Sequence, residues 1–503
     1  MIVCRSHHHL PQLKKYYQNL IFPETGDRIQ LILFREGMMN KTFKKIFIAN
    51  RGEIAVRIIR TCQDMGIRAA TAYSEVDANS LHVQLADEAY EIGAAEAVHS
   101  YINIEKVLDA AERCGAEAIH PGYGFLSENP EFYEKAESRG IIIIGPSSEC
   151  MYKAKPKNRA RQLMKMINIP VTPGSDEAIT DTGKRGIVQA HEIAAEIGYP
   201  VVVKPSGAGG GIGIIIARNK NELDKAIEAA RSRSRKAFGL SDFYIEKYLT
   251  GVKHVEFQVL ADKFGNVVHL GDRDCSVQRR FQKLIEESPC PVLTPFLRMK
   301  MGAAAIDVAM SLNYVGAMTV EFFYVPGNPR EFYFNEINSR LQVEHCITEI
   351  SAGIDIVKQQ IKIAAGNQLD INQDNIALKL HAMECRINAE DPVSFLPSPG
   401  TITKLRYPLG PSVRIDEGIY EGYTVPFYYD SLLMKLMTWG RGRDESIARM
   451  RRALGELRIT GIKTTIPLHK AVLEDDDFLS GTYTTDLLDK PELKNKIMEN
   501  VNK

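Results

Sequence analysis

The sequence is poor in the features that mark special classes of protein. Its eight cysteines (Cys4, Cys62, Cys114, Cys150, Cys275, Cys290, Cys346 and Cys385) are scattered singly with no C-x-x-C pair. That excludes a disulfide framework and predicts reduced thiols packed as small apolar side chains. The histidines do not stand near cysteines at ligand spacing, which argues against a zinc site. The longest apolar runs, such as IIII at 141–144, fall far short of the ~18 residues of a spanning helix. No basic start, apolar stretch and small-residue cleavage site follow one another, so a secreted protein is not expected. Charge of one sign is also missing: Lys plus Arg and Asp plus Glu both total 63, for a net charge of zero. A nucleic-acid protein working by bulk positive charge is thereby disfavoured. What is present is ordinary: 503 residues, 44% hydrophobic and 25% charged. A cytoplasmic globular protein is expected, of about three domains at roughly 150 residues each.

Residues 1–40 have no clear period and stop at Met38-Met39. They are expected to be an atypical extension, disordered or upstream of the true translation start. From Lys44 a β/α alternation begins: KKIFIAN, then the helical EIAVRIIRTCQDMG, then RAATAYS. Strands alternating with helices predict a parallel sheet, here over 41–156. A second unit is expected over 157–245 and a third, richer in strands and α+β in character, over 246–490. Residues 491–503 read as a tail.

The strongest local signal is YPVVVKPSGAGGGIGIII, 199–216. A β-type run ends in Lys204 and five glycines follow within seven residues, including Gly209, Gly210 and Gly211. Glycine lets backbone N–H groups wrap anionic oxygens, and the lysine adds a point charge for phosphate. The pattern is neither a Walker A loop nor a dinucleotide fingerprint. A second constellation joins TVEFFY (319–324) to EFYFNEINSRLQVEH (331–345). Glu321 and Glu336 lie in two nearby β-type runs, and with Asn338 they form a hard oxygen set suited to Mg²⁺. Strand alternation through 338–344 would put Asn338, Arg340, Gln342 and Glu344 on one face. DRDCSVQRRFQKLIEE (272–287) adds Arg273, Arg279, Arg280 and Lys283, and reads equally well as a solvated charge run. HAMECRINAEDP (381–392) contributes Arg386.

Together these stretches resemble the biotin carboxylase family of the ATP-grasp superfamily. FIANRGEIAVRIIR, AIHPGYGFLSENPEF, IEKYL, HVEFQVLAD, DRDCSVQRR, EINSRLQVEH, CRINAEDP, FLPSPG and YTVPFYYDSLL stand in family order over about 42–490. The resemblance implies α/β and α+β architecture in three domains: a Rossmann-like N-terminal domain, a mobile glycine-loop lid and a C-terminal α+β domain. It implies ATP-dependent carboxylation of biotin borne on a separate biotin carboxyl carrier protein, with Mg²⁺ or Mn²⁺. The final acceptor would be pyruvate or an acyl-CoA. A homodimer and a separate carboxyltransferase are further implied, with no nucleic-acid or membrane partner. By motif position, Lys157, Lys204 and Gly209–Gly211 should meet the nucleotide phosphates. Glu246, Lys247 and Leu249 should line the base and ribose site, with His254 and Gln278 nearby. Glu321, Glu336 and Asn338 should hold the metal. Lys283, Arg340, Gln342, Val343 and Glu344 should surround bicarbonate, with Glu344 as base. Arg386 should face the biotin ureido oxygen, and Tyr123 should lie near the biotin.

The sequence departs from the family at three places. AKPK (154–157) replaces MG-[DS]-K at the first phosphate lysine, Ile212 replaces a cation in the glycine loop, and Phe281 replaces a histidine in QRRFQK. These keep two alternatives open: a weakly active or non-catalytic ATP-binding paralogue, and another ATP-grasp carboxylate–amine ligase. LMKM (163–166) imitates a biotinylated lysine, but its stretch reads as an amphipathic helix.

Overall fold

A computed structural model of the chain describes residues 42–154, 157–181, 183–205, 214–238, 242–280, 282–327 and 331–501. The 1–40 extension, Pro156, the glycine loop with Ile212, and Phe281 lie outside the described residues, as does the side chain of Lys157.

The alternation after Lys44 folds as a parallel sheet of β1 (Lys45–Ile48), β2 (Arg68–Ser74), β3 (Glu88–Gly93), β4 (Ala118–His120) and β5 (Ile142–Ile143). The spatial order is β3-β2-β1-β4-β5, and every pairing is parallel. Both faces are covered. Ile46 and Ile48 join a core with Ile54, Ile58 and Ile59 of the helix Gly52–Asp64, while Phe47 and Ala49 face Val107, Leu108 and Phe132. Parallel strands buried on both sides read as continuous apolar runs, as IFIA does.

A small antiparallel sheet follows, with β6 (Val201–Pro205) between β7 (Ile215–Ala217) and β8 (Phe243–Lys247). The helices Lys184–Ile197 and Lys220–Phe238 cover it through Ala190, Ala194, Leu223 and Ile227. Its core begins at Ile179. Ala160, Met164 and Ile169 pack instead against Val255, Phe257 and Phe334 of the large sheet, so the packing break falls after residue 169 rather than at 157. The LMKM stretch lies in the helix Lys157–Met166.

The large sheet has eight strands: β9 (Lys253–Ala261), β10 (Val267–Arg279), β11 (Gln282–Ser288), β12 (Gly316–Tyr324), β13 (Phe332–Asn338), β14 (His381–Asn388), β17 (Val413–Glu417) and β19 (Leu432–Gly440). Two short pairs, β15 (Gly400–Thr401) with β18 (Thr424–Val425) and β16 (Lys404–Arg406) with β20 (Arg458–Thr460), lie outside it. The order β13-β12-β9-β10-β11-β14-β19-β17 carries the sheet unbroken from the 319–338 region into the C-terminal one.

Two expectations need correction. The strand expected over 338–344 stops at Asn338. Leu341 is drawn into the core under the first sheet, His345 N–H donates to Gln342 O at 3.3 Å, and the helix His345–Ala352 begins. Burial of Leu341 and the turn overrule the alternating pattern. Residues 491–503, expected as a tail, contain the helix Pro491–Val501, whose Leu493 and Ile497 are buried in the C-terminal core. No helix among the described residues is long and apolar enough to cross a membrane, and the seven described cysteines are free and buried.

Candidate active site

The site is built on one rung of the large sheet. Arg273 on β10 pairs with Glu256 on β9, Glu256 with Glu321 on β12, and Glu321 with Glu336 on β13. Three adjacent carboxylates in a row would repel unless cations were brought in. Arg273, wholly buried, donates from Nε to Glu256 Oε1 at 2.5 Å and is held by Gln258, Thr348 and Thr319 at 2.9–3.1 Å. Lys283 of β11 reaches the same point. Its Nζ donates to Glu256 at 2.5 Å, to Glu344 at 2.6 Å and to Glu321 at 3.0 Å. The reading of 272–287 as a solvated charge run therefore gives way to a buried β-hairpin.

Glu321 gathers further donors: Asn338 Nδ2 at 2.9 Å, Asn335 Nδ2 at 3.1 Å and Gln342 Nε2 at 3.3 Å. His254 Nε2 lies 2.9 Å from Oε2, the oxygen that Asn335 also reaches. Burial alone would push Glu321 up, but Lys283 and then His254 hold it well below the usual carboxylate range. Glu344 behaves alike: burial is overcome by Lys283, Arg386 and Arg273. Arg340 approaches from the turn after β13, its Nη2 donating to Asn338 Oδ1 at 3.2 Å and its Nε 3.3 Å from Glu128.

Arg386 on β14 completes the network, with Nη2 donating to Glu344 Oε2 at 2.9 Å and Nε to Glu286 Oε1 at 2.6 Å. Lys283 and Glu286 are three residues apart, so an ideal strand would aim them at opposite faces. They converge because Gln278 pairs with Lys283 and Val277 with Ile285, leaving Leu284 as a bulge. Leu284 and Ile285 both point into the C-terminal core, and the bulge flips the alternation between them.

The network meets a cavity of about 690 Å³ through Lys283, His254, Glu321, Asn335 and Glu336, with Glu344, Arg340 and Arg386 set behind its lining. Lys204, Glu246, Lys247 and Leu249 line it from the small sheet and its edge, and His254, Gln278, Lys283, Glu321 and Glu336 from the large one. Lys204 Nζ donates to Glu246 Oε2 at 2.5 Å. Lys247 Nζ donates to the Gly198 and Tyr199 carbonyls at 3.0 and 2.9 Å. Lys494, Ile497 and Met498 of the helix Pro491–Val501 form part of the same wall. Val343 does not line the cavity; its carbonyl accepts from Lys435 at 3.1 Å.

Tyr123 does not join this network. Its carbonyl accepts from Asn50 at 2.8 Å, and its ring packs on the core beneath the first sheet. Three members of the network, Glu256, Glu286 and Asn335, are not among the residues that the motifs single out. Glu256 does leave a trace, since HVEFQVLAD alternates His254, Glu256 and Gln258 with apolar residues, a polar face on a buried strand.

Family models match along the chain: biotin carboxylase, N-terminal domain, at 42–151; carbamoyl-phosphate synthase L chain, ATP binding domain, at 156–372; and biotin carboxylase C-terminal domain at 384–490. Fold and site thus define an ATP-grasp protein with a Rossmann-like N-terminal domain. A pyruvate carboxylase subunit of Methanothermobacter thermautotrophicus is 49% identical over 89% of this chain and 90% of its own length. Biotin carboxylase 1 of Bacillus subtilis is 48% identical over 89% of this chain and 98% of its own. Among solved structures, a biotin carboxylase complex from Campylobacter jejuni shares 46% identity with a TM-score of 0.85, over 89% of this chain and 98% of that one. The biotin carboxylase domain dimer of Hydrogenobacter thermophilus 2-oxoglutarate carboxylase, in complex with MgADP, ADP and bicarbonate, shares 45% with a TM-score of 0.86, over 90% and 99%. The chain belongs to the biotin carboxylase family.

Proposed function

We propose that the protein is an ATP-dependent biotin carboxylase that uses bicarbonate to carboxylate biotin on a separate carrier protein. The observation that carries this reading is Lys283, bound at once to three buried carboxylates at the edge of a nucleotide-sized cavity. A site this rich in balanced charge, opening to one cavity, suits a reaction between anions.

Bicarbonate enters between Lys283, Arg340 and the Gln342–Glu344 turn. There it must lose a proton before attacking the γ-phosphorus of ATP, and Glu344 is the base in reach. In the free protein Lys283 and Arg386 hold Glu344 well below its usual range, which makes it a weak base. Substrate anions compete for those two cations, and as they bind, the hold loosens and Glu344 becomes more basic. Lys283 and Arg340 then offset the charge that develops during phosphoryl transfer. The attack displaces ADP and gives carboxyphosphate, which breaks to CO₂ and phosphate. The phosphate takes the N1′ proton of biotin, Arg386 faces the ureido oxygen and stabilises the enolate-like form, and N1′ then bonds to CO₂.

Glu321, Glu336 and Asn338 fit a hard divalent ion, being two opposed carboxylates and an amide on adjacent strands. Mg²⁺ or Mn²⁺ held there would draw charge from the phosphate oxygens. Lys204, Lys247, Leu249 and Gln278 serve the nucleotide, joined by Lys157 and Gly209–Gly211. Tyr123 contributes to biotin binding only if substrate brings its loop inward. The reading is completed by a cytoplasmic homodimer, a biotin carboxyl carrier protein and a separate carboxyltransferase. The relative named as a carboxylase subunit supports that assembly, as does the neighbour described as a domain dimer.

The test is phosphate release from ATP by the full chain, measured with bicarbonate and with or without free biotin. Bicarbonate-dependent release stimulated by biotin is expected. A folded protein with no such stimulation would reject the reading.

A further inference from the structure

The Arg386 guanidinium is shared between two carboxylates of unequal freedom. Glu344 Oε2 accepts from Nη2 at 2.9 Å. Glu286 Oε1 accepts from Nε at 2.6 Å and lies 2.5 Å from Nη2. Thr465 Oγ1 and His469 Nε2 meet the Arg386 carbonyl at 2.9 and 2.7 Å, which fixes its backbone. Nη1 makes no hydrogen bond among the described residues, and the side chain keeps 11% exposure. One edge of the guanidinium is thus clamped and another is free for a ligand. In the proposed reaction Glu344 gains a proton and becomes a poorer partner for Arg386. Glu286 has no such duty. It is fully buried on β11, adjacent to β14 and its Arg386.

We propose that Glu286 is the positioning residue that keeps Arg386 aimed at biotin while Glu344 changes charge. This inference rests on the carboxylase reading above and extends it to a residue that touches no substrate.

Glu384 strengthens the case. It stands directly opposite Glu286 across β11 and β14. It is wholly buried, and neither of its oxygens has a hydrogen-bond partner among the described residues. Two carboxylates so placed cannot both ionise cheaply. Burial pushes Glu384 well above the usual carboxylate range, whereas Glu286 has Arg386 at hand. Burial lifts Glu286 as well, to about 7, but Arg386 opposes it, so Glu286 is the first of the two carboxylates to ionise, and its contact with two guanidinium nitrogens suits a charge-assisted bond. Glu286 Oε2 has no hydrogen-bond partner among the described residues, so the carboxylate answers to Arg386 alone.

The experiment is steady-state kinetics of the full chain with ATP, bicarbonate and free biotin, comparing Glu286→Gln and Glu286→Asp with the unaltered protein. Glu286→Gln should lower kcat/KM for biotin at least tenfold while the KM for ATP moves less than twofold. Glu286→Asp, which restores the charge, should recover part of the loss. Equal damage to the ATP and biotin parameters would mark a merely structural role and overturn the inference, as would unaltered kinetics of a folded Glu286→Gln protein. Should Glu286→Gln fail to fold, a several-fold rise in the biotin KM of Glu286→Asp is still required. Absence of biotin stimulation in the unaltered protein would instead reject the carboxylase reading itself, and this inference with it.

Discussion

Two of the largely buried charge clusters among the described residues differ in one respect. The first is Lys283 and Arg386 among Glu256, Glu321, Glu344 and Glu286. The second is Arg57 and Arg414 among Glu349, Asp355 and Asp416. Its contacts are as tight: Arg57 to Glu349 at 2.8 Å, Arg414 to Glu349 at 2.9 Å and Arg414 to Asp416 at 2.8 Å. Yet Lys283 and Glu321 line the large cavity, and no member of the second cluster does. Buried charge alone does not mark a reaction site; an opening does. His345, Cys346 and Glu349 even present three metal-type ligand atoms within 4.8 Å. Both oxygens of Glu349 are already taken by arginines, so that triad serves the fold.

The contrast can be broken experimentally, and the largest effect belongs to Lys283. Lys283→Met leaves three buried carboxylates without their common cation, and turnover should fall about 10³-fold or more. Near-normal phosphate release would end the distinction between the clusters. Next comes Arg414→Met, which takes from Glu349 one of its two arginines and leaves Asp416 with Lys435 at 4.0 Å. It should cost about 3 kcal/mol of stability, read as a lowered chemical-denaturation midpoint, with turnover of the folded fraction within threefold of normal. A large loss of turnover without loss of stability would show that the second cluster also serves the reaction. Arg386→Ala should lower biotin carboxylation by roughly 10²-fold, and the check is biotin-stimulated phosphate release.

The smallest effect is on acid stability. Burial would raise Glu349, but Arg57, His345 and Arg414 bring it down to about 2. Its folded value lies below the ordinary ~4.3. Its contribution is therefore complete above that value and lost as pH falls from there toward 2. Arg414→Met should flatten the fall of the thermal midpoint across that window, and an unchanged slope would deny Glu349 its part.

Much of this architecture is legible in the sequence for a physical reason. The β/α alternation after Lys44 and the polar alternation of HVEFQVLAD are local periods, and local periods are what a chain displays directly. Residues expected at one site by motif, among them Lys283, Glu321, Gln342, Glu344 and Arg386, do share one network in space. The rung from Arg273 to Glu336 is illegible because it depends on the register between two strand pairs far apart in sequence, β9–β10 and β12–β13. The path of Ser339–Glu344 escapes a reading by alternation because burial of Leu341 outweighs a polar pattern. The 491–503 stretch looks like a tail because only the core beneath it explains Leu493 and Ile497.

The bulge at Leu284 carries a consequence for how this site tolerates change. Side-chain substitutions in β11 act on single contacts, whereas a change of length acts on all of them together. Deleting Leu284 would remove one of the two register shifts between β10 and β11 and at the same stroke send either Lys283 or Glu286 into the apolar core. Inserting a residue beside it would do the same from the other side. Genetic drift can therefore rewrite letters in this strand but cannot alter their number, and a search for tolerated indels should find β11 silent.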